Sequence, residues 1–130
     1  MTDRSLEGRT VLIVEDEYLL ANDLTRELEA AGATVLGPAP SLESAEELAT
    51  GPDRIDAAVL DINLSGEMVY PVADMLEAKG AHLLFATGYD RPALPERYKA
   101  MPHVEKPVDA KAVVQVLARA MIPASAATAE

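Results

Sequence analysis

Four apolar runs in this chain end in residues suited to phosphoryl chemistry. Val11-Leu12-Ile13-Val14 leads into Glu15 and Asp16, and Ala57-Ala58-Val59-Leu60 into Asp61. Leu83-Leu84-Phe85-Ala86 leads into Thr87, and His103-Val104-Glu105 into Lys106 and Pro107. Oxygen-only ligands select a hard divalent ion, and Mg²⁺ is the usual choice beside phosphate. A carboxylate can attack a phosphoryl donor and become an aspartyl phosphate. A lysine can face a carboxylate or phosphate as a point charge. Gathered at one place, these groups can hold a metal, present a nucleophile and neutralise a phosphoryl group.

Each residue also has a plainer reading. Glu15, Asp16 and Glu17 are acids at the start of a helix, where the macrodipole favours them. Asp61 can cap a loop, although an acid closing a buried strand is costly unless paired or functional. Thr87 belongs to a type common in strands; Gly88 after it lets backbone approach closely. Lys106 can be a surface lysine, but Pro107 holds it extended and permits a cis bond in a tight turn.

The elements that must position these groups alternate in type. Arg9 to Val14 reads as a strand, Glu17 to Ala31 as a helix with Leu20, Leu24, Leu28 and Ala31 on one face. Ala33 to Gly37 is a weaker strand. Ser41 can cap a helix through Ala49, and Gly51-Pro52 breaks it. Asp56 to Asp61 is a third strand, apolar enough to be central. Glu67 to Lys79 reads as helix, with Val72, Met75 and Leu76 inward. Ala81 to Thr87 is the fourth strand. Pro92, Pro95 and Pro102 break up the segment from Gly88 to Lys106, which leaves room for a short helix near Leu94 to Ala100 and a short strand from His103 to Glu105. Asp109 caps a last helix to about Met121.

Short apolar runs like these are the size of buried strands of a parallel sheet. Five βα units predict an α/β, doubly wound (βα)5 flavodoxin-like sandwich with a five-stranded parallel sheet and a short or degraded fourth helix. In such a sheet ligands bind at the carboxyl ends of the strands, which would bring the five groups to one edge. A single domain over residues 1–130 is expected, with a core from about 9 to 121 and a flexible tail from 122 to 130.

The charge balance narrows the partners. With 22 acids against 11 bases the net charge is -11, which argues against binding nucleic acid or anionic membrane. Absence of cysteine excludes disulfides and thiolate sites. No apolar stretch is long enough to span a bilayer, and the polar N-terminus lacks the core of a signal peptide, so a cytoplasmic location is the expectation. His82 and His103 are the only histidines and lie far apart. No Ser-His-Asp order, glycine-rich phosphate loop or dinucleotide fingerprint is present.

In this order, the stretches VLIVEDE (Val11–Glu17), AVLDINL (Ala58–Leu64), FATGY (Phe85–Tyr89) and EKP (Glu105–Pro107) resemble the receiver domain of bacterial two-component response regulators. The resemblance runs from about Arg9 to Met121. It implies that Asp61 is the phosphoacceptor and that Glu15 and Asp16 are the acidic pair, with Asp16 the more direct Mg²⁺ ligand. It also implies that Asn63 gives its backbone carbonyl to the metal, that Thr87 binds a phosphoryl oxygen, and that Lys106 pairs with the phosphoryl group or Asp61. Three features depart from the commonest pattern. The turn after Asp61 reads Asn63-Leu64-Ser65-Gly66 and lacks the frequent Met-Pro. The segment before Lys106 is short and rich in proline. His103 occupies the usual aromatic switch position, and Tyr89 is a candidate substitute; Gly88 and Pro107 flank the same switch region. The FATGY string resembles a subgroup of often single-domain receivers, several of them in alphaproteobacterial stress signalling.

The resemblance implies a single-domain response regulator, a signalling protein rather than an enzyme. It would take a phosphoryl group onto Asp61 from a histidine kinase or histidine phosphotransfer protein and signal or relay to a downstream partner protein. Two other readings stay open: a pseudo-receiver that binds partners without phosphorylation, and a phosphohydrolase of the haloacid-dehalogenase type. The latter wants a second acid two residues past the nucleophile, where this chain has Asn63, and room for a cap domain.

Overall fold

The computed structural model describes residues 4–51, 53–87, 95–99 and 101–121, with the backbone alone at Thr87. Within them the strands are β1 (Thr10–Val14), β2 (Thr34–Ala39), β3 (Ala57–Asp61), β4 (Asn63–Leu64), β5 (Glu67–Met68), β6 (His82–Thr87) and β7 (His103–Glu105). The helices are α1 (Tyr18–Ala30), α2 (Leu42–Thr50), α3 (Tyr70–Ala78) and α4 (Ala110–Ala120), with a 3₁₀ turn at Glu96–Tyr98. Five strands form a parallel sheet in the order β2-β1-β3-β6-β7, and β4 and β5 form a separate antiparallel hairpin. This is the doubly wound, flavodoxin-like order, with the switch point between β1 and β3.

The apolar runs lack an alternating polar face because both faces of the sheet are covered. Successive side chains still point opposite ways. Leu12, Val14, Ala58, Leu60, Leu83 and Phe85 pack under Ala45, Ala49, Val72, Ala73 and Leu76 of α2 and α3. Val11, Ile13, Ala57, Val59 and Leu84 pack under Leu24, Leu28, Val113, Val114 and Leu117 of α1 and α4. All five residues of β3 are buried, as its central place demands. No helix among the described residues is long and apolar enough to cross a membrane.

The caps match the sequence. Ser41 accepts the Ser44 N–H at 3.1 Å and the Ser44 hydroxyl accepts the Ser41 N–H at 3.2 Å, a reciprocal box at the start of α2. Asp109 accepts the Lys111 N–H at 3.0 Å and starts α4.

Three boundaries differ from expectation. First, β2 continues through Gly37-Pro38 to Ala39, where the sequence suggested a break. The register with β1 shifts between Leu12 and Val14, and the bulge absorbs the interruption on an edge strand. Gly37 has φ +87, and a Cβ there would lie 2.8 Å from the Ile13 carbonyl oxygen, so only glycine fits. Second, α3 starts at Tyr70, not Glu67. Glu67 and Met68 instead pair back onto Leu64 and Asn63, and Pro71 sits at the helix start, where its missing N–H is harmless. Third, where a short helix was expected near 94–100, the described residues form the 3₁₀ turn. Its Tyr98 is fully buried, edge-on to Phe85 with ring centroids 5.3 Å apart. Leu94 and Ala100 lie outside the described residues, as does the expected tail.

Candidate functional site

The parallel register carries the polar strand ends to one edge. Val14 pairs with Leu60, Asp61 with Ala86, and Thr87 with Glu105. The residues after β1, the last residue of β3 and the residue after β7 therefore meet at the carboxyl edge. Oxygen atoms of Glu15, Asp16 and Asp61 lie within 4.8 Å of one another. Glu15 is 3 % and Asp61 6 % exposed, so two carboxylates stand almost out of water.

Lys106 faces them. Its Nζ lies 3.2 Å from Asp61 Oδ2, 3.6 Å from Glu15 Oε2 and 3.0 Å from Glu17 Oε1. The peptide bond from Lys106 to Pro107 is cis. Backbone donors complete the frame. Asn63 N–H donates to Asp61 Oδ1 at 3.2 Å and Glu17 N–H to Glu15 Oε2 at 3.0 Å. Ser65 donates its hydroxyl to Asp16 Oδ2 at 2.7 Å.

The electrostatics follow from crowding. Burial pushes the Glu15 carboxyl up to about 7; the Glu17 N–H opposes this, and the neighbouring Asp61 charge adds to it. Burial also raises Asp61, against the pull of Lys106. For Lys106, burial disfavours the ammonium, but the three acids around it outweigh burial and hold it well above its usual range. One ammonium faces three acids, Glu15, Glu17 and Asp61, and Asp16 adds a fourth carboxylate beside Glu15 and Asp61, which leaves an excess of negative charge. A hard divalent cation fits this set, because the donors are all carboxylate oxygens whose mutual repulsion it would relieve.

The structure thus brings together Glu15, Asp16, Asp61 and Lys106. Asn63 stands beside Asp61 through its backbone N–H; its side-chain Oδ1 is turned away to accept the Gly66 N–H at 2.7 Å. Thr87 ends the neighbouring strand β6, one step beyond the Asp61–Ala86 pair. His103 lies two residues back from that edge, opposite Phe85, with ring centroids 6.0 Å apart. Pro107 is exposed just past Lys106. Gly88 and Tyr89 lie outside the described residues.

Two contributors were not singled out in the sequence. Glu17 reads there as one more acid at a helix start, yet its side chain makes no cap bond and reaches Lys106. The adjacent run Glu15-Asp16-Glu17 was its only signal. Ser65 carries none, because its contact with Asp16 joins residues 49 positions apart.

No family model and no curated protein matches the chain. Solved structures do. The solution structure of SdrG from Sphingomonas melonis Fr1 is 35% identical, with 88% of this chain and 97% of that chain covered and a TM-score of 0.72. The signal receiver domain of a modulated diguanylate cyclase from Desulfovibrio desulfuricans G20 is 31% identical over 86% of this chain and 92% of that one, with a TM-score of 0.69. The chain belongs to the receiver family of response regulators. The receiver is also 33% identical to the BeF3-activated conformation of SdrG from Pseudomonas melonis Fr1, with 94% and 100% of the two chains covered and a TM-score of 0.67. Membership places the protein, at a general level, in phosphoryl-accepting signalling.

Proposed function

We propose that this receiver takes a phosphoryl group onto Asp61 in a Mg²⁺-dependent reaction and passes the signal to partner proteins. The observation that carries the reading is the meeting of Asp61 with Glu15 and Asp16 within 4.8 Å, and with Lys106 at 3.2 Å. Asp16, Asp61 and Glu15 would hold the metal, with the Asn63 carbonyl added by the family resemblance. Bound there, Mg²⁺ supplies charge neutralisation for the phosphoryl oxygens.

Asp61 provides the attacking oxygen. A new bond forms between that oxygen and phosphorus as the bond from phosphorus to a donor imidazole nitrogen breaks, and the imidazole leaves with the electron pair. Lys106 faces the negative charge that develops and stays protonated, since the acids around it hold its ammonium form. Glu15 and Asp61 are buried, so these charges act in a medium less screening than water. Catalysis is mostly positioning, as phosphoryl transfer allows. The phosphohistidine of a kinase or a phosphotransfer protein is the donor in this reading. Thr87, with Gly88 and Tyr89 after it, would sense the new group; FATGY at Phe85–Tyr89 supports assignment to that subgroup.

Intact-mass analysis after incubation with acetyl phosphate tests the proposal. One Mg²⁺-dependent phosphoryl adduct is expected on the wild type and none on Asp61→Asn. Undiminished labelling of the variant would refute the role of Asp61. No adduct on the wild type, with no spectral response to beryllofluoride, would leave a pseudo-receiver.

A further inference from the structure

The connection after Asp61 is short and unusually constrained. Ile62 accepts the Val69 N–H at 2.9 Å and closes its base. Asn63 pairs with Met68 and Leu64 with Glu67. Leu64 is buried and pins the arm to the core. At the tip, Ser65 takes φ 51, the one positive φ outside glycine among the described residues, followed by Gly66 at φ 98. The Asn63 side chain fixes this turn by accepting the Gly66 N–H. A serine held in the left-handed region is uncommon. The conformation here places its hydroxyl against Asp16, 49 residues earlier and at the end of another strand.

We propose that Ser65 is a positioning residue for the cation: its hydroxyl orients the Asp16 carboxylate, and the hairpin that follows the phosphoacceptor thereby couples to metal occupancy. The inference rests on the metal-dependent reading above. A carboxylate has about four lone-pair sites. The hydroxyl uses one, on Oδ2, and leaves the others for the ion. Donors behind metal ligands fix ligand orientation, and their loss typically lowers affinity about 10–100-fold. Asp16 is less buried than Glu15 and Asp61, so a loss near the low end is expected. The same hairpin donates the Asn63 N–H to Asp61. One small element therefore touches a metal ligand at its tip and the nucleophile at its base.

The test compares wild type, Ser65→Ala and Ser65→Gly. Alanine removes the hydroxyl and keeps the strained φ; glycine removes the hydroxyl and relieves it. Mg²⁺ is titrated into each protein while amide shifts of residues 15–17 are followed by NMR. The expected result is a Kd raised about tenfold in both variants, with the Mg²⁺ concentration for half-maximal labelling by acetyl phosphate raised by the same factor. A wild-type or tighter Kd in either variant would overturn the role of the hydroxyl. A wild type that neither binds Mg²⁺ nor labels would overturn the underlying functional reading as well, so the two failures are told apart by the wild type alone.

Discussion

Replacing Glu15 by glutamine should stabilise the metal-free protein above neutral pH. Burial, reinforced by the Asp61 charge and opposed by the Glu17 N–H and Lys106, lifts the Glu15 carboxyl from its ordinary value of 4.5 to about 7. Between those values the folded chain holds a proton that the unfolded chain has released. The stability from this group is therefore fully present below about pH 4.5 and is lost as pH rises through about 7. At about 1.4 kcal/mol per pH unit, the loss reaches about 3 kcal/mol by pH 8.5. Glutamine has the same shape and stays neutral, and its carbonyl can still accept the Glu17 N–H. Glu15→Gln should then exceed wild type by roughly 2–3 kcal/mol at pH 8.5 and by only about 1 kcal/mol at pH 5. For a chain of this size that is on the order of 10 °C in Tm at the higher pH. Urea unfolding in EDTA across pH 5–8.5, followed by circular dichroism, measures it. If Glu15 holds Mg²⁺ as proposed, saturating Mg²⁺ should narrow or reverse the ranking, because a ligand at 100 times its Kd stabilises the wild type by about 2.7 kcal/mol and the variant would lack one charged carboxylate for the ion. A variant no more stable than wild type at pH 8.5, or a gap that does not change with pH, would refute the electrostatic account.

Three further outcomes follow from named contacts. Lys106→Met removes the ammonium from Glu15 and Asp61, and in the metal-free protein it should cost roughly 3 kcal/mol at pH 8, the scale of breaking a buried pair. The cost should shrink by pH 5 as the acids take up protons, and equal costs by urea unfolding at both pH values would contradict the pairing. Tyr98→Phe loses the hydroxyl that donates to Asp74, whose carboxylate Arg97 still holds with two contacts of 3.0 Å, and should cost about 1 kcal/mol. Tyr98→Ala also empties the space against Phe85 and Tyr70 and should cost about 3–5 kcal/mol in the same assay; a loss below about 1 kcal/mol would mean the 95–99 segment is not anchored there.

The elements were legible in the sequence because their signals are local. An apolar run with no polar alternation means a strand buried on both faces, and β3 is that strand. Ser41 and Asp109 announce helix starts, since a cap is a bond between near neighbours. The order of acids, Thr87 and Lys106 on successive βα units also let Glu15, Asp16, Asp61 and Lys106 be expected at one edge. Parallel strands all end on the same side, so strand-end residues converge whatever their separation along the chain.

What remained was decided by contacts between distant residues. The strand through Gly37-Pro38 persists because β2 bulges there and regains its pairing with β1 at Ala39 opposite Val14, a fact of pairing and not of β2 alone. Glu67 and Met68 leave the helix pattern because they find partners in Asn63 and Leu64. Glu17 becomes part of the site only when Lys106, 89 residues later, arrives within 3.0 Å. Ser65 becomes a neighbour of Asp16 only when a tight turn lifts its hydroxyl across the cleft. Burial of Glu15 and Asp61, and hence the carboxyl near 7, is likewise a property of the assembled sheet, because desolvation depends on what covers a group and not on what precedes it. The sequence by itself specified which chemical groups are present and that strand ends would gather them. The tertiary structure alone set their distances, their hydration and the second layer of residues that orients them.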